Sequence, residues 1–155
     1  MFKRMLVGLA LAVVVVWGAT GLSDAVFTVD QNFTGYLSGV LASLKADSPW
    51  GKIDTEDLAD LIELQLPFFL MDVRTPEEYA QGFIPGAVNI PLDTLPENLD
   101  RLPVDRNTLV VVYCKTGWRA NLGMYTMRLL GYTNTKGYEG SFQAWQGAGL
   151  PVQMP

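Results

Sequence analysis

Cys114 is the residue of this chain best placed for nucleophilic chemistry. It follows the apolar run LVVVY and precedes the loop residues 115–119 (KTGWR) and a helical pattern. In an α/β sheet, ligands bind beyond the carboxyl ends of strands, where a loop entering a helix aims backbone N–H groups at one point. Gly117 allows the loop to curl, and Lys115 and Arg119 add positive charge. These surroundings favour a thiolate and an anion cradle over a small, inert, buried thiol.

The composition excludes several other kinds of chemistry. The 155 residues include no His and one Cys, so Ser-His-Asp and Cys-His catalysis, an internal disulfide and a thiolate-rich zinc site are ruled out. Acidic residues outnumber basic ones by 16 to 11, for a formal net charge of −5, which argues against nucleic-acid binding. Hydrophobic residues make up 49% of the chain, enough for a packed core. No metal or cofactor is predicted.

The first 25 residues are predicted to act in targeting. Two basic residues near the start precede an apolar run over residues 5–17, and small residues follow as far as Ser23-Asp24-Ala25. This layout is typical of a cleaved signal peptide, and residues 5–22 are also long enough for an uncleaved membrane anchor. In either case we expect residues 26–155 to lie in the periplasm or cell envelope, because basic residues hold the amino end in the cytoplasm.

The rest of the chain divides into a linker and one domain. Residues 26–51 are predicted to be a linker with a short amphipathic helix, since Leu37, Val40, Leu41 and Leu44 share one helical face. Residues 52–155 alternate strand and helix patterns, which predicts an α/β domain with a mainly parallel sheet. The predicted strands cover residues 53, 68–73, 88–90, 109–113 and 133–137. The predicted helices begin near residue 54 and at residue 76, and cover residues 95–102, 119–130 and 142–148.

Four segments in order give the sequence a family resemblance. They are MDVRTPEEY (71–79), GFIPGAVNIP (82–91), VVYCKTGWRA (111–120), and GSFQAW with GLPV (140–145 and 149–152). The sequence resembles the rhodanese (sulfurtransferase) domain over roughly residues 53–152. This resemblance implies a three-layer α/β/α domain with a five-stranded, mainly parallel sheet.

The resemblance also implies a reaction at Cys114. The thiolate would take sulfane sulfur from thiosulfate or a persulfide donor, become a persulfide, and pass the sulfur to a thiol or cyanide. The implied substrate-binding residues are Lys115, Thr116, Gly117, Trp118, Arg119 and Arg74. Since the chain has no second Cys, the acceptor must come from outside. The expected partners are therefore a small anionic sulfur donor and a thiol acceptor, for a monomeric protein.

Some neighbouring residues have two possible roles. Arg74 either adds positive charge to the pocket or pairs with Asp72 to tie loops together, with Asp72 as structural support. Trp118 either lies at the pocket rim or covers the helix. Glu77 and Glu78 are predicted to serve in helix capping and on the solvated surface. Two further predictions concern packing: Trp145 in the core, and an inward helix face of Leu122, Tyr125, Met127 and Leu130.

Two positions depart from the family pattern. Phe83 stands where the family usually has His, and Ser141 stands where it commonly has a second Gly. Neither change removes a reactive group.

Two other classes of function remain open. A phosphatase or arsenate reductase of the related thiol type has five residues between Cys and Arg, whereas four separate Cys114 from Arg119. The shorter loop suits a single sulfur atom better than a tetrahedral oxyanion. The second alternative is a non-catalytic rhodanese-like binding module in the cell envelope.

Overall fold

The fold is taken from a computed structural model, which describes residues 31–46 and 51–155. The predicted signal peptide or anchor over residues 1–25 lies outside the described residues. The predicted linker helix is present as α1, Gln31–Ala46, and starts a few residues before the apolar face that indicated it. None of the helices in the described part of the chain has the length and apolar character needed to cross a membrane.

A five-stranded parallel sheet forms the centre of the domain. Its strands are β1 Lys52–Ile53, β2 Phe69–Asp72, β3 Val88–Asn89, β4 Val110–Tyr113 and β5 Thr135–Tyr138. Their order is β1-β5-β4-β2-β3, and every neighbouring pair is parallel. The buried run that predicted the central strand is β4, which pairs with β2 on one side and β5 on the other. Cys114 therefore emerges at the middle of the carboxyl edge of the sheet.

Four helices pack around the sheet, and side-chain caps mark the start of the first two of them. The helices are α2 Thr55–Glu63, α3 Pro76–Ala80, α4 Trp118–Leu129 and α5 Ser141–Gly147. Asp54 caps α2 by accepting the Asp57 N–H, and Thr75 and Glu78 form the predicted capping box at α3. The helix expected over residues 95–102 is instead two short 3₁₀ segments, Leu92–Glu97 and Leu99–Arg101. Pro96 lies inside the first of them, and a proline there disfavours a regular α-helix.

Apolar side chains cover both faces of the sheet, which confirms the predicted three-layer arrangement. On one face, Met71, Val110 and Val112 pack with Met124 and Met127 of α4. The other face forms a second cluster of buried side chains, Ile53, Leu58, Leu70, Val111, Tyr113, Phe142 and Trp145. The core forms two clusters because successive side chains of a β-strand point to opposite faces of the sheet.

The inward face of α4 differs from the predicted one. Leu122 and Tyr125 are 47% and 39% exposed, so the prediction that they pack inward is wrong, whereas Met127 is buried. Small residues face the sheet instead, and a Cβ at Gly123 would lie 2.9 Å from Val112 Cγ1. The helix approaches the sheet closely at Gly123, while Met124, Met127 and the partly buried Leu130 pack against the core.

Candidate active site

The loop that joins β4 to α4 presents Cys114 to a backbone donor. The Gly117 N–H donates to Cys114 Sγ, with an N···S distance of 3.1 Å. Gly117 has a φ of +106°, and a Cβ there would collide with the Glu139 carbonyl oxygen. Glycine is therefore required at this position, both for the backbone conformation and for the close approach of residue 139. The loop turns tightly enough for an amide three residues along the chain to meet the sulfur.

The start of α5 holds the main chain of Cys114 from the neighbouring strand end. The Cys114 N–H donates to Ser141 Oγ at 3.1 Å, and the Phe142 N–H donates to the Cys114 carbonyl at 3.0 Å. The Gln143 N–H donates to the Lys115 carbonyl, also at 3.0 Å. The sequence predicts no contact between Ser141 and Cys114; in the sequence, Ser141 is only a departure from the family glycine.

Several amides of the loop remain available to a ligand. Within residues 51–155 and 31–46, the N–H groups of Lys115, Thr116, Trp118 and Arg119 donate to no protein acceptor. The last two belong to the first turn of α4, whose N–H groups have no partner inside the helix. These four N–H groups follow Cys114 directly in the chain, and the anion-binding role that the sequence predicts for them stays a prediction.

The charge of Arg119 is already balanced by a carboxylate. Its Nη1 and Nη2 donate to the two Glu78 carboxylate oxygens at 2.7 and 2.9 Å. Hydrogen bonding from Arg119 lowers the pKa of Glu78 to about 2, and the carboxylate raises the pKa of Arg119. An electrostatic interaction with Cys114 is a smaller cause of the raised Arg119 pKa, so the guanidinium lies within electrostatic range of the sulfur. Capping and surface roles alone were expected for Glu78, so this ion pair was missed.

Arg74 is bound by protein groups on all sides. It is 2% exposed, its Nε and Nη2 donate to the Asp72 carboxylate, and the Nη2–Oδ2 distance is 2.6 Å. Its other contacts are with the carbonyls of Glu78 and Gly82 and with the Phe142 ring, 4.1 Å away. Of the two roles left open by the sequence, this geometry fits the loop-tying one with Asp72. It does not support Arg74 as a substrate contact, because its donors are already used.

The remaining predicted residues lie at the surface of the loop. Lys115 and Thr116 are exposed, and Trp118 is 70% exposed. In the part of the chain that the structure describes, Lys115 forms no ion pair, so its charge is uncompensated. Cys114 itself is 1% exposed. No group of three or more Cys, Asp or Glu side chains among the described residues could hold a metal ion.

A lone thiol at the carboxyl edge of a parallel sheet, with the Gly117 N–H on its sulfur, defines the class of α/β domains that carry a cysteine loop between a strand and a helix. Comparison with known proteins narrows this class. The model of the rhodanese-like domain family matches residues 54–148, and the chain belongs to this family. The resemblance found in the sequence is confirmed.

The relatives of the chain include sulfurtransferases. A sulfurtransferase of Allochromatium vinosum is 35% identical over 104 residues, which cover 67% of this chain and 95% of the relative. The thiosulfate sulfurtransferase PspE of Escherichia coli is 35% identical over 83 residues, covering 51% of this chain and 80% of PspE. The solved structure of a rhodanese-like domain protein from Staphylococcus aureus superposes with a TM-score of 0.58 at 30% identity, covering 67% of this chain and 97% of that one. The homologues support a general sulfurtransferase role.

Proposed function

We propose that this protein moves sulfane sulfur from thiosulfate or a persulfide donor to a thiol or cyanide through a persulfide on Cys114. The observation that carries the proposal is the 3.1 Å contact between the Gly117 N–H and Cys114 Sγ, inside a loop whose other amides are available. Donors preorganised around a reacting atom stabilise the negative charge that forms there. Here that charge would be carried first by the thiolate and then by the terminal sulfur of the persulfide.

The reaction balances without an added oxidant or reductant. The thiolate of Cys114 attacks the outer sulfur of thiosulfate, a new S–S bond forms, and sulfite leaves with the electron pair of the old S–S bond. The acceptor then attacks the terminal sulfur of the persulfide, and the Cys114 thiolate is released. The acceptor is an external nucleophile because the chain has no second Cys.

The exposed side chain of Lys115 supports an anionic donor. It lies next to Cys114 in sequence, and none of the described carboxylates is paired with it. Arg119, by contrast, is held by Glu78. We infer that Lys115 recruits the anion and that the loop amides bind it at the sulfur.

A non-catalytic binding module is the second candidate, and one observation favours it. Cys114 is 1% exposed, so a donor must enter through a narrow opening or as the loop moves. A module of this kind would keep the buried thiol for packing alone.

For either function, we propose that residues 26–155 work in the periplasm or cell envelope as a monomer. The apolar segment over residues 5–22 would either be removed with the signal peptide or hold the domain at the membrane. The layout of the first 25 residues supports this location. Amino-terminal sequencing of the exported protein distinguishes cleavage from anchoring.

Sulfur transfer from thiosulfate to cyanide, measured for the wild type and for Cys114→Ser, tests the proposed enzyme against the module. We expect turnover by the wild type and none by the variant. Thiosulfate should also add about 32 Da to Cys114, and cyanide or a reductant should remove it, whereas a sulfinic acid of the same mass gain would persist. A wild-type protein that gains no removable sulfur from thiosulfate or from a persulfide contradicts the enzyme and supports the module.

A further inference from the structure

The hydroxyl of Ser141 contacts Cys114 at two atoms. It accepts the Cys114 N–H at 3.1 Å and lies 3.8 Å from Cys114 Sγ. It also donates to the Tyr138 carbonyl at 2.7 Å. Ser141 is completely buried, so water does not compete for these contacts. One hydroxyl therefore joins the end of β5, the start of α5 and the cysteine.

The backbone of Ser141 adopts a conformation that favours glycine. Its φ is +51°, and Gln65 is the other non-glycine residue with a positive φ in the described parts of the chain. A side chain in this region carries a conformational cost that glycine avoids. Strain of this kind persists where the surrounding structure enforces it, often at functional sites. The contacts of the Ser141 hydroxyl are the compensating interactions that the structure shows.

The Ser141 hydroxyl has one hydrogen and two acceptors within reach. The shorter contact, to the Tyr138 carbonyl, suits a neutral thiol at Cys114. When the sulfur is charged, it becomes the stronger acceptor, and rotation about the C–O bond brings the hydrogen toward Sγ. No backbone movement is needed, because the oxygen is already placed by the Cys114 N–H.

We propose that Ser141 is a positioning residue for Cys114, holding its main chain and turning a second hydrogen-bond donor to its thiolate. The inference rests on the proposed function in taking Cys114 as the reacting group. The charged groups near Cys114 are Arg119 on α4, which interacts electrostatically with it, Glu78 on α3, which is paired with Arg119, and Lys115, the next residue in the loop. A substitution at Ser141 leaves these three side chains unchanged, so their effect on the Cys114 thiolate is the same in the wild type and in the Ser141 variants.

Titration of the thiolate by its far-ultraviolet absorbance tests this role in the full chain, with Cys114→Ser as the background. In Ser141→Gly the strain is relieved and the hydroxyl is lost. We expect the midpoint of thiolate formation to rise by about half a pH unit to one unit, as for the loss of one hydrogen bond to the charged group. Sulfur loading from thiosulfate at neutral pH should slow by about threefold to tenfold.

Two further variants separate the hydroxyl from the backbone. Ser141→Ala keeps the strained φ but lacks the hydroxyl, and it should show the same shift in midpoint with a lower stability. Gln65→Gly relieves the other positive φ, at an exposed position, and should leave the midpoint unchanged. A purely structural serine would change stability in the Ser141 variants without moving the titration.

An unchanged midpoint in Ser141→Gly overturns the inference. A wild-type protein that accepts no sulfur, but whose thiolate midpoint still depends on Ser141, contradicts the proposed function and leaves the positioning role intact. The two failures are therefore distinguishable.

Discussion

Glu78 and Arg119 form a two-point ion pair that joins the first turns of two helices. The N···O distances are 2.7 and 2.9 Å, and the two side chains are 26% and 30% exposed. Glu78 also completes the capping box of α3, while Arg119 lies one residue into α4, directly after the cysteine loop. The Glu78 carboxylate thus holds the start of α3 next to the end of the loop that joins β4 to α4. It also cancels much of the positive charge that the sequence suggests for this site.

Replacing Glu78 by Gln should reduce the stability of the domain at neutral pH. We expect a loss of about 1 kcal/mol, since the pair is partly exposed and solvent screens it. Urea unfolding at pH 7 measures this loss. Glu77→Gln is the matched control on the same helical turn, because Glu77 has no contact with Arg119, and it should cost less.

The contribution of Glu78 should also depend on pH. Its pKa is lowered from 4.5 to about 2 in the folded protein, so the unfolded state takes up the proton first as the pH falls. The stabilisation is therefore complete above about pH 4.5 and is lost as the pH falls toward 2. The difference in unfolding free energy between wild type and Glu78→Gln should shrink across this range. A difference that stays constant down to pH 2 contradicts the ion pair.

Gly117→Ala should disrupt the loop that joins β4 to α4 and carries Cys114. The new Cβ would meet the Glu139 carbonyl at a residue with a φ of +106°, so the loop must shift. We expect a destabilisation of about 2 to 4 kcal/mol and loss of sulfur transfer. Gly131→Ala is the control: its φ is +89°, but no atom lies within 4 Å of the added Cβ. It should cost only about 1 kcal/mol and leave activity unchanged. Equal costs for the two variants, measured by urea unfolding, would show that the loop has room at residue 117.

Breaking the buried pair of Asp72 and Arg74 should destabilise the domain strongly. Arg74→Met leaves the Asp72 carboxylate buried without its partner, and we expect a loss of about 3 to 5 kcal/mol. The double variant Asp72→Asn/Arg74→Met should lose less than the sum of the two single variants. Arg101→Met, at an exposed position, serves as the control and should have little effect. Additive single effects in chemical unfolding would indicate that the pair contributes no coupling.

Lys115→Gln should weaken the use of an anionic donor. Under the proposed function, the exposed ammonium group attracts thiosulfate to a chain that is negative overall, so kcat/KM for thiosulfate should fall by about threefold to tenfold at low salt. Added salt should reduce the difference from wild type, because it screens exposed charges. Lys136→Gln on β5 is the control of equal charge change. If the two variants behave alike, net charge rather than the position of Lys115 is responsible.

Truncation of Trp145 should lower the free energy of unfolding strongly, whereas truncation of Trp118 should hardly change it. Trp145 is 2% exposed and its Nε1 donates to the Pro151 carbonyl, so Trp145→Ala should cost about 3 to 5 kcal/mol. Trp118→Ala removes a side chain that is 70% exposed and should change the unfolding free energy by less than about 0.5 kcal/mol.

If Trp118 lies at the pocket rim, its loss should raise kcat/KM for a bulky thiol acceptor more than for cyanide. A helix-covering role predicts no such difference.

Local patterns were sufficient to predict most elements of the domain. The continuous apolar run at residues 109–113 can only be buried on both faces, and it became the central strand β4. The Thr-Pro-Glu-Glu segment at residue 75 caps a helix through contacts within one turn, so its structure does not depend on distant residues. The inward face of α4 was predicted wrongly at Leu122 and Tyr125, which are exposed, and correctly at Met127 and Leu130. Close packing of Gly123 on Val112 turns the helix so that Met124 and Met127 face the sheet.

The sequence by itself determined the chemistry that is available: one thiol, no imidazole, and a glycine loop between a strand and a helix. The tertiary structure decided which groups surround the thiol. Ser141 follows Cys114 by 27 residues and Glu78 precedes Arg119 by 41, yet both pairs are in contact because parallel strands bring their carboxyl ends to one edge. Contacts between such distant residues leave no local pattern in a single sequence, so only the folded chain reveals them.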